Sequence, residues 1–312
     1  MAAAVIKTVN LTKRYGTLVA LSNLNLEINE GDCFGFIGPN GAGKTTTIKI
    51  LATLLQPTWG EARICDHVVG YQSRQIRPLI GYVPDYFGAY EDMVVQEYME
   101  FFAAAYNING VARTKVVNDV LELTDLAYKK DAPVDGLSRG MKQRLSIARV
   151  LVHDPKVLLL DEPAGNLDPR ARIEMRELLK ELRRMGKTIL ISSHILPELA
   201  DLCNTVGIIE RGELIYSGPV ADIVKRARSG MVLHVGVAHN QELAAAMLSQ
   251  DPNVTNVAAN NGHMEVALKD GVTDYSFIPQ RLIQGGFKLT LLKEEEVNLE
   301  TAFMRLTKGM VQ

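Results

Sequence analysis

Cysteine is scarce in this sequence and tryptophan nearly absent: three Cys and one Trp in 312 residues. Cys33, Cys65 and Cys203 form no metal-like spacing. An odd count scattered over apolar stretches reads as reduced thiols of a cytoplasmic protein. An excess of either charge is missing as well. The 34 basic side chains stand against 36 acidic ones, for a net charge of −2, which offers no general attraction to nucleic acid or anionic lipid. No apolar run approaches the roughly 18 residues of a membrane helix, and the opening MAAAVIKTVN lacks the apolar core of a signal peptide. The expectation is a soluble chain, to which a different chain would have to add any membrane part. Internal repeats and low-complexity segments are lacking too.

What is present is ordinary globular composition, 47% hydrophobic and 22% charged, long enough for two domains with an ample core. The most informative stretch is Gly38-Pro39-Asn40-Gly41-Ala42-Gly43-Lys44-Thr45-Thr46, a G-x-x-x-x-G-K-T loop between the apolar run Cys33 to Ile37 and a helix-like run from Thr45 to Leu55. Such a loop curls its backbone N–H groups inward and makes an anion nest at a helix N-terminus. Gly38, Gly41 and Gly43 permit conformations and close approaches that a Cβ would block. Lys44 reaches the β- and γ-phosphates, and the Thr45 hydroxyl is placed to ligate Mg²⁺. A random chain of this length matches the pattern on the order of once in a hundred. A glycine-rich turn is the plainer alternative, and the strand before and helix after count against it.

Along the chain, residues 4–30 alternate apolar and polar in short bursts with turns at Tyr15-Gly16 and Glu30-Gly31-Asp32, the pattern of antiparallel strands. A lone Tyr15 beside a turn reads, on these residues alone, as packing. Helical spacing of apolar residues dominates from about Asp92 to His153, notably over Val94–Tyr106 and Val111–Leu126, which predicts a mostly helical insert. Leu158-Leu159-Leu160 ends in Asp161-Glu162-Pro163, a buried parallel strand finished by two carboxylates. Asp161 at such a strand end is suited to the Mg²⁺ shell, and Glu162 to orienting and deprotonating an attacking water. Ser138 is a good N-cap for a helix starting near Met141, and by itself that stretch reads as a capped helix without a ligand. The basic run Lys225 to Gly230 reads as a linker. Beyond it the order β-α-β-β-α-β, with a turn at Asn260-Asn261-Gly262 and a further helix at 298–308, predicts a small ferredoxin-like sandwich.

Taken in order, these segments resemble the ATP-binding subunits of ABC transporters, and most closely the ABC-2 or drug-resistance type. The resemblance covers residues 4–220. It rests on the phosphate loop at 38–45, Ile80 to Asp85 where the family has its Q-loop, and Leu137-Ser138-Arg139-Gly140-Met141 as the signature. It rests further on Asp161-Glu162 at the end of the Walker B strand, Gly165-Asn166-Leu167-Asp168 as the D-loop and Ser193-His194 as the switch. The tail from Asn298 to Thr307 is similar to the ending of that subfamily. Asp85 stands where most of the family has Gln, Arg139 replaces the first Gly of the signature, and Met141 its Gln.

The resemblance implies an α/β chain: a P-loop NTPase domain over residues 1–224 with an antiparallel β subdomain and a helical insert at about 86–153. A linker at 225–230 and a ferredoxin-like α+β domain at 231–312 follow. It implies an Mg²⁺-dependent ATPase in which Tyr15 stacks on adenine, Gly38 through Thr46 hold the triphosphate, and Thr45, Asp161 and Asp85 serve the metal. Glu162, His194 and Asp168 are the implied catalytic residues. Ser138 and Gly140 are implied to act on ATP bound by a second ATP-binding chain, in a homodimer or heterodimer. The implied partner is a separate transmembrane permease, at the cytoplasmic face of the membrane, with cargo moved outward. Tyr86, Phe87 and Tyr90, three aromatics in one short segment, read either as lining a groove for a partner helix or as local packing of the insert. A non-transport ABC ATPase acting on ribosomes or DNA is the rival, but it usually carries two ATPase units or long coiled-coil inserts, which this chain lacks.

Overall fold

Alternating apolar residues at the start of the chain build a sheet before the phosphate loop is reached. The computed structural model describes residues 4–86, 88, 92–193, 195–227, 231–260, 262–269 and 271–295. It falls into two units that meet at Val220/Ala221. In the first, β1 (Ala4–Tyr15), β2 (Leu18–Leu24) and β3 (Glu27–Asn29) are followed by β4 (Cys33–Ile37), which leads to the loop and helix α1 (Lys44–Leu51). Then come β5 (Trp59–Ile64), β6 (His67–Val68), α2 (Ser73–Ile76) and β7 (Ile80–Val83). Strands β2-β1-β5-β6 form an antiparallel sheet, with β3 also paired to β1. Ile6, Leu11, Leu21, Leu24 and Ile28 on its inner face pack with Ile48 and Leu51 of α1 in one core.

The helical insert comprises α3 (Val95–Ala105), α4 (Gly110–Leu123) and α5 (Arg139–Leu151). Buried Arg144 of α5 fixes this insert: its guanidinium bonds the carbonyls of Thr124 and Asp125, pairs with the Asp125 carboxylate at 2.9 Å and lies 3.4 Å from Glu174. The chain then returns to the sheet through β8 (Val157–Asp161), α6 (Pro169–Arg184), β9 (Thr188–Ser193), α7 (Leu196–Leu202), β10 (Thr205–Glu210) and β11 (Glu213–Pro219). The second sheet has the order β11-β10-β4-β9-β8-β7, parallel from β10 to β7 with β11 as an antiparallel edge. Every residue of β4, β8 and β9 is buried, as strands covered on both faces must be. Register places Ile37 beside Ser193 and Asp161 beside Ser192, so the phosphate loop and the carboxylate pair leave the sheet at the same edge. That carboxyl edge is where open α/β sheets bind ligands.

Helix α8 (Val220–Ala227) spans the unit boundary. Residues 225–227, read from their basic composition as the start of a linker, are therefore helical; Val220 and buried Ile223, three apart, give the segment a helical apolar spacing. The second unit continues with β12 (Val232–Val237), α9 (Gln241–Ser249), β13 (Val254–Asn260), β14 (His263–Leu268), α10 (Phe277–Gln284) and β15 (Leu289–Glu294). Its strand order β13-β14-β12-β15, with all neighbours antiparallel, is the split βαβ arrangement of a ferredoxin-like sandwich. Leu233, Val235, Met264 and Val266 turn one face of this sheet toward Ala244 and Leu248 of α9 and Ile278 and Leu282 of α10. The tail helix expected at 298–308 lies outside the described residues, as do Phe87 and Tyr90.

Candidate active site

Helix α1 opens on Gly43, whose φ of 111° lies in the left-handed region. A Cβ there would be strained in its backbone and would sit 2.8 Å from the Ala20 carbonyl oxygen. No side chain caps this helix start, which leaves its first turn to an external anion. Lys44 turns back into its own loop. Its Nζ donates to the carbonyls of Gly38 at 2.6 Å and Pro39 at 3.2 Å and lies 3.7 Å from Glu162 Oε1. Burial lowers the Lys44 pKa, while the carboxylates of Glu162 and Asp161 oppose that shift.

The Asp161 carboxylate is the meeting point of three elements. Its Oδ1 accepts hydrogen bonds from Thr45 Oγ1 at 3.1 Å and Ser192 Oγ at 2.8 Å. Its Oδ2 is buried without a hydrogen-bond partner among the described residues. Burial pushes this carboxyl up, and the Ser192 and Thr45 hydroxyls act against it. A buried acceptor oxygen lacking a donor, on a carboxylate already bonded to the Thr45 hydroxyl, fits a hard divalent cation with oxygen ligands.

Glu162 leaves the strand with φ 51°, a left-handed conformation that costs energy in a non-glycine residue. Its N–H donates to both the carbonyl (3.2 Å) and the hydroxyl (3.0 Å) of Ser192, which hold it there. The result is a cleft of about 540 Å³ lined by Asn40 to Thr46, Asp85, Tyr86, Arg139, Glu162, Gly165 and Asn166. It brings together an anion cradle, a lysine, and the Glu162 carboxylate just past the end of buried β8. Such a set can bind a triphosphate and present a base to a water molecule.

Other expected site residues sit apart from this lining. Ser138 caps α5, its hydroxyl accepting from Met141 N at 3.3 Å. Gly140 is buried in the first turn of α5, where a Cβ would lie 2.7 Å from that of Ala171. Asp168 caps α6 by accepting from Ala171 N at 2.9 Å. Tyr15 ends β1 half exposed, with Lys13 Nζ 5.2 Å from its ring centre. His194 lies outside the described residues.

Tyr86, one of the aromatics considered for a partner groove, lines this cleft, since it directly follows Asp85 at the end of the β7 segment. Ser192 was not singled out by sequence reasoning; a hydroxyl in the otherwise aliphatic run Ile189-Leu190-Ile191 was the available signal. Arg139 and Asn166 belong to motifs that sequence reasoning did find, but their position in this cleft depends on packing.

Fold and site together define a P-loop nucleoside triphosphatase. The sequence profile described as "ABC transporter" matches residues 21–165. The Nod factor export ATP-binding protein I of Burkholderia orbicola is 41% identical over 218 residues, 70% of this chain and 72% of that protein. The bacitracin transport ATP-binding protein BcrA of Bacillus licheniformis is 34% identical over 315 residues, 98% of either chain. Among solved structures, a dimeric post-hydrolysis state of the ATP-binding cassette MJ0796 bound to ADP and phosphate superposes with a TM-score of 0.62 at 28% identity. It covers 69% of this chain and 98% of that one. The chain belongs to the ATP-binding subunits of ABC transporters and is an ABC-type ATPase. Among the described residues no helix is long and apolar enough to cross a membrane.

Proposed function

We propose that this chain powers export of a substrate through a separate transmembrane subunit, by closing on a second ATP-binding chain around ATP and reopening after hydrolysis. The observation that carries this reading is the cleft in which Lys44 and Glu162 meet at the uncapped N-terminus of α1, with buried Asp161 bonded to Thr45 behind it. The N–H groups of that turn and Lys44 bind the β- and γ-phosphates, with the loop from Gly38 to Thr46 wrapped around them. When a triphosphate enters, Lys44 exchanges its contacts with the Gly38 and Pro39 carbonyls for phosphate oxygens. Glu162, in the same cleft, is the base that accepts a proton from the attacking water.

Thr45, Asp161 and, at the rim, Asp85 are the residues that would hold Mg²⁺, which when bound neutralises phosphate charge. Ser192 positions Asp161 and holds the strained backbone of Glu162 at once. Tyr15 stacks on the adenine, His194 orients the γ-phosphate and the water, and Asp168 links the two sites. Ser138 and Gly140 lie outside the lining of their own cleft, which supports their action on ATP held by the other chain, of the same or a different kind. A groove of about 270 Å³ with Leu54, Tyr82, Phe102, Tyr106, Arg149 and His153 in its walls is suited to a helix of the membrane subunit, which would hold the chain at the cytoplasmic face of the membrane. The relative named for Nod factor export favours the outward direction.

Glu162→Gln tests the reading. Loss of a general base costs about 10²–10⁴-fold in rate, roughly 3–5.5 kcal/mol of barrier. The variant is expected to bind ATP normally, hydrolyse it that much more slowly and elute as an ATP-dependent dimer from a sizing column. Wild-type turnover in this variant would remove Glu162 from the role of base, and a monomer at saturating ATP would remove the closing step.

A further inference from the structure

The second unit carries an arrangement that nucleotide chemistry does not use. On β12 and β14, register sets His234 directly opposite Glu265, and His263 lies two residues before Glu265 on the same strand. Side chains alternate faces along a strand, so all three share one face. It is the face opposite to the one that Leu233, Val235, Met264 and Val266 turn into the core with α9 and α10. All three are half-buried, and one ligand atom from each lies within 4.8 Å of the others. The His234 and His263 rings are 4.9 Å apart between centres, and His263 Nε2 is 4.0 Å from Glu265 Oε1.

We infer that His234, His263 and Glu265 form a binding site for a divalent transition-metal ion, of which Zn²⁺ is the best match, on the face of the C-terminal sheet turned away from α9 and α10. Two imidazoles and one carboxylate are a borderline set that suits zinc rather than Mg²⁺ or Ca²⁺, which take oxygen ligands. Zinc accepts three protein ligands with a fourth position left to water or another donor. In tetrahedral coordination at about 2.0–2.2 Å the ligand atoms stand roughly 3.3 Å apart, so rotamer adjustments on the order of 1 Å close the site without moving the strands. The strand pairing supplies the backbone rigidity, and the Gln241 amide donating to the His263 carbonyl at 2.6 Å ties the start of β14 to α9. Lys293, opposite His234 on β15, adds a positive charge beside the site. That charge favours an anionic fourth ligand and weakens binding relative to a neutral neighbour.

The site is separate from the phosphate loop in sequence and in structural unit, so its test does not depend on ATP hydrolysis. The experiment is calorimetric titration of the full-length, tag-free protein with Zn²⁺ alone, without nucleotide, followed by Co²⁺ as a spectroscopic stand-in. Saturable binding of one ion per chain is expected. A drop of at least tenfold in affinity is expected for His234→Ala and for His263→Ala, with a smaller drop for Glu265→Gln. The visible Co²⁺ spectrum should be that of a four-coordinate ion and should vanish in the His234→Ala/His263→Ala double variant. Circular dichroism of that variant checks that the sheet is intact, and unchanged ATPase activity checks that the first unit is. Absence of saturable binding, or undiminished affinity in the folded double variant, would overturn the inference.

Discussion

In the proposed function the N-termini of α1 and α5 both act on ATP, yet they are finished in opposite ways. Helix α1 opens on left-handed Gly43 with no side chain as cap, and Lys44 folds back over the loop. Helix α5 opens on Ser138, whose own hydroxyl accepts from Met141 N, and its Gly140 is packed against Ala171. An uncapped N-terminus keeps its N–H groups for a ligand, whereas a capped one is already stable in the free chain. The first is a cradle that waits for phosphate. The second is a finished surface that can be offered to a neighbour without refolding.

The largest effect of breaking this contrast falls on the cradle. Lys44→Ala removes the cation that offsets the carboxylates of buried Asp161 and half-buried Glu162 and, on the proposed reading, the charge-assisted bonds to phosphate. With about 1.5–3 kcal/mol for a hydrogen bond to a charged group, ATP affinity should fall roughly 10- to 100-fold in a fluorescent-nucleotide titration. Unchanged affinity would mean that the loop is not the phosphate site.

At α5 the same logic separates structure from function. Ser138→Ala removes the cap and should cost about 0.5–2 kcal/mol of stability, read as a shift in the urea midpoint. Asp caps as well as Ser and suits the helix dipole, so Ser138→Asp should keep the midpoint. It also places a carboxylate where the triphosphate of the neighbouring chain would approach. ATP-dependent dimerisation and hydrolysis should therefore fall in Ser138→Asp while stability holds. If both persist, α5 is a structural helix and nothing more.

The contrast also explains what could be read without coordinates. Gly38 to Thr46 and Leu158 to Glu162 were legible because each is a local pattern, a loop or strand end whose chemistry follows from residues adjacent in sequence. Ser192 was not, since its bond to Asp161 depends on the register of β8 against β9. Cys33 and Cys203, read as scattered, lie with their sulfurs 3.6 Å apart because β4 and the end of α7 pack together. His234, His263 and Glu265 were passed over for the same reason: sheet pairing joins them across about thirty residues of chain. The small C-terminal sandwich was readable as an order of elements, β-α-β-β-α-β, because each element keeps a clean period. The helical state of residues 225–227 was hidden by their basic composition.

The smallest effect lies at the far end of α5, just beyond Leu151. His153 Nε2–H donates to the Ile80 carbonyl at 2.9 Å, and its ring stacks on Tyr106 at 3.9 Å between centres, so it ties this helix to β7 and to α3. Its Nδ1 is buried with no hydrogen-bond partner among the described residues, as suits a neutral ring. Burial lowers the His153 pKa, and the Ile80 bond counters it only in part. A base whose folded pKa is lowered binds fewer protons folded than unfolded, from its ordinary value near 6.5 downward. The folded state should therefore lose stability as pH falls below about 6.5, and this contribution should stay flat above it. Urea midpoints at successive pH values check this. In His153→Gln, which keeps an N–H donor but does not titrate, the slope should be shallower. An unaltered slope would place the acid sensitivity elsewhere.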